Sequence, residues 1–87
     1  MYGKIKWLSN KVQLEKRSFL FCFEKKCMSG RVSEITQSNI ENEYEILVEF
    51  IEPDYFKNEL IIGNFFTINE ASTIVGKGLV NEITESL

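Results

Sequence analysis

The chain has 87 residues, 44% of them hydrophobic and 13% aromatic, with a formal net charge of -3 and no histidine. Seven Phe, three Tyr and one Trp supply enough apolar area for one small domain spanning residues 1–87, which excludes a disordered chain. No apolar run nears the roughly 18 residues that cross a bilayer, and without histidine the commonest general base and the imidazole metal ligand are missing.

In chain order, Lys4 to Leu8 reads as the first strand. The segment Met1 to Leu8 has basic residues but neither the apolar region nor the small-residue cleavage site of a secretory signal, so a cytoplasmic location is expected. Phe19 to Phe23 is the second strand, with basic Lys16-Arg17 before it and Lys25-Lys26 after it. Cys22 and Cys27, five apart, have no zinc-site spacing and are too few for a disulfide framework, so two reduced thiols are expected. If Cys22 lies in the aromatic strand, it is a small inert hydrophobe. Gly30 punctuates the chain before a third strand, Arg31 to Ile35.

The clearest strand is Tyr44 to Glu52, where Tyr44, Ile46, Val48 and Phe50 alternate with Glu45, Leu47, Glu49 and Ile51. Pro53, the sole proline, cannot donate to a ladder and stops it; a short helical turn fits the loop that follows. Phe65 to Glu70 and Ile74 to Ile83 complete six strands, the last pair closed by the short turn around Ala71-Ser72. Six short strands in so small a chain need protected edges, which favours a closed antiparallel β-barrel with Greek-key connections over an open sheet. Gly76 and Gly78 suit a strand that bends or meets another backbone closely, while Phe66 and Ile68 fill the interior.

Residues 1–31 carry eight Lys or Arg against two Glu, and residues 32–87 carry two Lys against eleven acidic residues. Two arrangements satisfy this asymmetry: strands from the two halves pair so that opposite charges meet across the sheet, or a basic face forms with an acidic flank. Lys16, Arg17, Lys25, Lys26 and Arg31, around the Phe19 to Phe23 strand, are the candidate nucleic-acid contacts. Against them stands the acidic balance of the whole. Glu43, Glu45 and Glu49 share one strand face at period two and read as a solvated face rather than paired catalytic carboxylates. Tyr55, Phe56 and Lys57, in the loop after Pro53, form the candidate protein-binding loop; the two rings are either exposed anchors or a plug for the barrel end. No catalytic motif, metal-ligand spacing or cofactor motif is present, so no enzyme activity, metal or cofactor is expected.

The stretch Gly63-Asn64-Phe65-Phe66-Thr67-Ile68-Asn69-Glu70, then Ile74-Val75-Gly76-Lys77-Gly78-Leu79-Val80, resembles the closing hairpin of the third, C-terminal barrel domain of elongation factor Tu and related translational GTPases. Phe21-Cys22-Phe23 with Met28-Ser29-Gly30-Arg31-Val32 is similar to an earlier strand and turn of that domain. Val48 to Pro53 is similar to its strand ending in proline. The resemblance spans residues 18–83 and implies a stand-alone barrel of that fold. The P-loop of the GTPase domain is absent, and Asn69 and Thr73 stand where the family usually has arginines at its tRNA-facing part. The segment Pro53 to Phe66 is longer, adding Tyr55, Phe56 and Lys57. The implied function is a non-catalytic module that engages a protein partner, as an immunity protein masking a toxin or a mimic of the factor's domain. The alternatives are an RNA- or tRNA-binding accessory domain and a homo-oligomer subunit.

Overall fold

Alternation of apolar and polar residues along short strands builds the molecule. A computed structural model, which describes residues 1–15 and 18–82, contains six strands: β1 (Tyr2–Trp7), β2 (Ser18–Phe23), β3 (Lys26–Gln37), β4 (Glu43–Phe50), β5 (Phe65–Glu70) and β6 (Thr73–Glu82). All neighbours are antiparallel, and the order β1-β4-β3-β2-β5-β6 closes on itself as a barrel. Strands β2, β3 and β4 form consecutive hairpins, and the chain then returns over one end to lay β5 beside β2, a Greek key. Closure leaves no edge strand exposed. Among the described residues no helix is long and apolar enough to cross a membrane.

The strand expected at Arg31 to Ile35 is much longer. It begins at Lys26, immediately after the two-residue turn Glu24-Lys25, and runs to Gln37. Its polar residues face solvent, so the sequence shows little apolar signal outside Val32 and Ile35. The β4 ladder ends at Phe50 rather than Glu52. Ile83, the expected end of the last strand, lies outside the described residues.

Each strand points one set of side chains inward: Ile5 and Trp7, then Phe19, Phe21 and Phe23, Val32, Ile46 and Val48, Phe66 and Ile68, Val75 and Val80. Two bulges reset the alternation. Opposite β4, Ser33 is the extra residue of β3, its hydroxyl donating to the Leu47 carbonyl at 3.3 Å, so Ser33 and Glu34 are both exposed. In β6 the register passes from Gly76 opposite Ile68 to Ile74 opposite Asn69, so Val75 and Gly76 are consecutively buried.

Rings and glycines interlock inside the barrel. A Cβ at Gly78 would stand 2.5 Å from Ile5 Cγ2, 2.7 Å from the Lys4 carbonyl oxygen and 3.0 Å from the Phe66 ring; one at Gly30 would be 2.9 Å from the rings of both Phe21 and Phe50. Loops seal the two ends. At one, the 3-10 turn Pro53–Phe56 drops the Phe56 ring within 4.9 Å of the Phe23 ring centroid and 5.1 Å of that of Phe50, both edge-on. At the other, Trp7 lies edge-on to Phe19 at 5.4 Å and donates its indole N–H to the Val12 carbonyl at 3.0 Å, with Leu14 buried beneath. The Met1 ammonium donates to the Val48 carbonyl at 3.0 Å, extending the β1–β4 pairing; burial holds its pKa below the ordinary α-amino value, and the Glu49 carboxylate partly offsets this.

The close approach at Gly78 includes backbone, which cannot rotate away. Gly78→Ala is therefore expected to cost about 1–3 kcal/mol by overpacking, and Phe56→Ala about 3–5 kcal/mol by opening a cavity at the barrel end. Urea unfolding followed by tryptophan fluorescence measures both; wild-type midpoints for the two variants would contradict this packing.

Candidate protein-binding face

Strand register decides which of the candidate side chains meet. Phe56 is fully buried and plugs the barrel, so its reading as an exposed anchor is corrected: Pro53 starts the 3-10 turn, and the Glu59 and Leu60 N–H groups both donate to the Phe56 carbonyl, holding the ring inward. Tyr55 is half exposed and Lys57 is exposed. Lys26 is engaged with the same loop: its Nζ lies 3.4 Å from Glu59 Oε1, donates to the Tyr55 carbonyl at 3.4 Å and stands 5.2 Å from the centre of the Tyr55 ring. It braces the plug.

The other basic candidates do not converge on it. Lys25 occupies the β2–β3 turn, whereas Arg31 lies at the far end of that hairpin, opposite Ser18 on one side and Glu49 on the other. Lys16 and Arg17 lie outside the described residues. Across β1 and β4, Lys4 faces Glu45 and Lys6 faces Glu43. Opposite charges of the two halves thus meet across the sheet, and Glu43, Glu45 and Glu49 lie on the outer face of β4. Asn69 donates its amide to Thr67 Oγ1 at 3.1 Å, Cys22 Sγ at 3.3 Å and the Leu20 carbonyl at 3.5 Å, which ties β5 to β2. Thr73 is exposed at the β5–β6 turn.

The expectation of two reduced thiols is also corrected. Because Phe19, Phe21 and Phe23 point inward, Cys22 points outward, and the two-residue turn at Glu24-Lys25 sets Cys27 directly across from it. The two sulfurs form a disulfide with the Cα atoms 4.1 Å apart. A spacing of five is what a two-residue hairpin turn brings into register, a pairing that counting cysteines against framework patterns does not reveal.

The outer surface is divided. Over β3 and β4 it is polar and charged, carrying Arg31, Glu34, Thr36, Gln37, Glu43, Glu45 and Glu49. Over β2, β5 and β6 it is largely apolar. In one row Phe65 pairs with Leu79; in the next Cys22 pairs with Thr67 and Thr67 with Lys77; in the third Leu20 pairs with Asn69 and Asn69 with Ile74. Beside the first row stands the turn of Ile61 and Ile62, fixed by hydrogen bonds from the Gly63 N–H to the Val80 carbonyl at 2.7 Å and from the Asn64 amide to the Glu59 carbonyl at 2.8 Å. Phe65 is 53% exposed, Leu79 47%, Ile61 59% and Ile62 67%. Strand alternation alone marks Phe65 and Leu79 as outward, because Phe66, Ile68, Gly78 and Val80 take the interior, and that signal identifies this face. Among the described residues no three His, Cys, Asp or Glu side chains gather to hold a metal. The chain matches no protein-family model and no curated protein.

Alkylation of the folded chain without reductant should label neither cysteine. Reduction, or Cys22→Ser with Cys27→Ser, should lower stability by roughly 2 kcal/mol, the chain-entropy value for so short a loop. Intact mass and urea melts read the two effects; full labelling before reduction would contradict the bridge.

Proposed function

We propose that this protein is a non-catalytic binding module whose β2–β5–β6 face engages a protein partner. The observation that carries the reading is the grouping of exposed Phe65, Leu79, Ile61 and Ile62, with Leu20 and Ile74, on the β2–β5–β6 side, whereas the other exposed aliphatic residues, Leu8, Ile40 and Ile51, stand singly outside the strands. Exposed apolar side chains grouped on one face of a small domain, here interrupted by Thr67, Asn69 and Lys77, are a feature of interaction sites. The turn carrying Ile61 and Ile62 is fixed by its own hydrogen bonds, so presenting it to a partner costs little ordering entropy. The resemblance to the third domain of elongation factor Tu supports a barrel that acts through contact, and it extends to masking a toxin or mimicking that domain. Of the five residues of the RNA-binding alternative, Lys16 and Arg17 lie outside the described residues; among the other three, Lys25 and Arg31 are at opposite ends of one hairpin and Lys26 already braces the Tyr55 loop. The scattered positions favour a protein partner. The compartment follows the state of the cysteines in cells: free thiols support the cytoplasmic reading, and an oxidised bridge supports an oxidising compartment.

Affinity capture from native lysate should recover a stoichiometric protein with the wild-type chain and lose it with Phe65→Asp or Leu79→Asp. Thr36→Asp, on the opposite face, should retain it. Recovery of RNA alone, or of the same protein with all the variants, would sink this reading.

A further inference from the structure

The apolar face has a row of lysines along its β1–β6 side. Along β1 and β6 the outer rows read Glu45, Lys4, Leu79, Phe65 and, next to it, Glu43, Lys6, Lys77, Thr67. Lys6 and Lys77 are direct cross-strand partners, an arrangement that sets two ammonium-bearing side chains on Cβ atoms about 5 Å apart and is unfavourable in an isolated sheet. Neither Lys4, Lys6 nor Lys77 forms an ion pair within 4.0 Å among the described residues. These side chains, the Phe65–Leu79 pair and Glu43 line a shallow open depression of about 370 Å³. An exposed like-charge pair beside an apolar depression is complementary to an occupant that brings negative charge and aliphatic or aromatic side chains together.

We propose that the partner seats an acidic peptide segment on this surface, its carboxylates over Lys4, Lys6 and Lys77 and its apolar side chains against Phe65 and Leu79. The inference rests on the binding-module reading and adds the chemistry of what is bound. An extended polyanion such as RNA fits less well, because the lysine row is three side chains long and a phosphate backbone running past it meets Glu43 and Glu45, which a short peptide segment need not cover. A second copy fits less well too, because Glu43, Glu45 and Glu49 lie along β4 with no exposed apolar side chain in the outward positions between them; Leu47, between Glu45 and Glu49, is half-buried.

The test is selection of a displayed library of random short peptides on the immobilised full chain. Enriched peptides should carry Asp or Glu beside Leu, Ile or aromatic residues. Their affinity for a chain with Lys4→Glu, Lys6→Glu and Lys77→Glu should fall roughly tenfold at low salt, the sum expected for three solvent-exposed charge pairs, and the difference should shrink as salt rises. Leu79→Ser should weaken the same peptides at every salt concentration. Lys77→Glu alone relieves the Lys6–Lys77 repulsion, so its urea midpoint should equal or exceed wild type, which separates loss of binding from loss of folding. Apolar peptides without acidic residues, indifferent to the lysine substitutions, would overturn the inference and leave the binding-module reading standing. Failure to enrich any peptide would count against both. A fluorescein-labelled single-stranded RNA that binds through the three lysines and resists competition by the selected peptides would overturn it in favour of RNA, and Leu79-dependent self-association in sedimentation would overturn it in favour of a second copy.

Discussion

The structure depends on matching a few large rings to missing side chains. A six-stranded barrel has room for little more than one layer of side chains, and here the layer is dominated by Phe21, Phe23, Phe56 and Phe66, with Phe21 and Phe66 at a centroid separation of 6.0 Å and Phe23 and Phe66 at 5.6 Å. Phe66 crosses the interior to the backbones of Gly3 and Gly78, Phe21 reaches Gly30, and Trp7 covers Gly76. The glycines serve by the volume they leave empty, since a ring on one strand occupies the space a Cβ would take on its neighbour. The arrangement sets the barrel's diameter and its strand register at the same time. Slipping a strand by one residue would drive Cβ atoms into rings and expose the rings to water.

Closure then decides where charge can go. With every inward position apolar, all the described Lys, Arg, Asp and Glu side chains must lie outside or partly outside the barrel. The Greek-key order brings β1, from the basic part of the chain, beside β4, from the acidic part. The asymmetry along the sequence is in part brought face to face across the sheet at Lys4–Glu45, Lys6–Glu43 and Arg31–Glu49, none of them within ion-pair distance. What remains unopposed is local. Lys77, on β6, has Lys6 on one side and the uncharged Thr67 on the other, so the residual positive charge lies where the apolar face begins.

Much of the fold was legible in the sequence because strand alternation is a direct record of burial. Phe65–Glu70 was readable to the residue, and the strand expected at Tyr44 to Glu52 overran the observed Glu43–Phe50 by two residues, since Ile51 continues the apolar pattern past the end of the ladder. The closed six-stranded barrel followed from strand count and chain length. The start of β3 was not legible: from Lys26 to Ser29 the outward residues are polar, the inward Met28 is only half-buried, and the turn before it contains no glycine. Glu24 there takes a positive φ of 47°, as Ala71 does at 55° in the β5–β6 turn, so two tight turns were built without the residue that usually announces them. The disulfide was hidden for the same reason, because only the turn length reveals that Cys22 and Cys27 are partners. For the candidate face, the outward direction of Phe65 was legible from alternation once Phe66 and Ile68 took the interior, but its place beside Leu79 was not, because that neighbour is set by the β5–β6 register.

That choice between adjacent phenylalanines links fold to function. Phe66 must point inward because Gly3 and Gly78 leave a space that only a ring fills, and β5 then has to direct Phe65 into water. An exposed ring on a rigid strand, paired with Leu79 and flanked by a hydrogen-bonded Ile61-Ile62 turn, is costly for solubility in isolation. Polar residues at 65 and 79 would leave the interior untouched, so nothing in the packing requires this surface to be apolar. The apolar choice at outward positions is what the proposed binding role accounts for. Closure supplies the other half of the argument: among the described residues the two ends are covered by Phe56 and by Trp7 with Leu14, and the polar and exposed side chains are left to the outer faces.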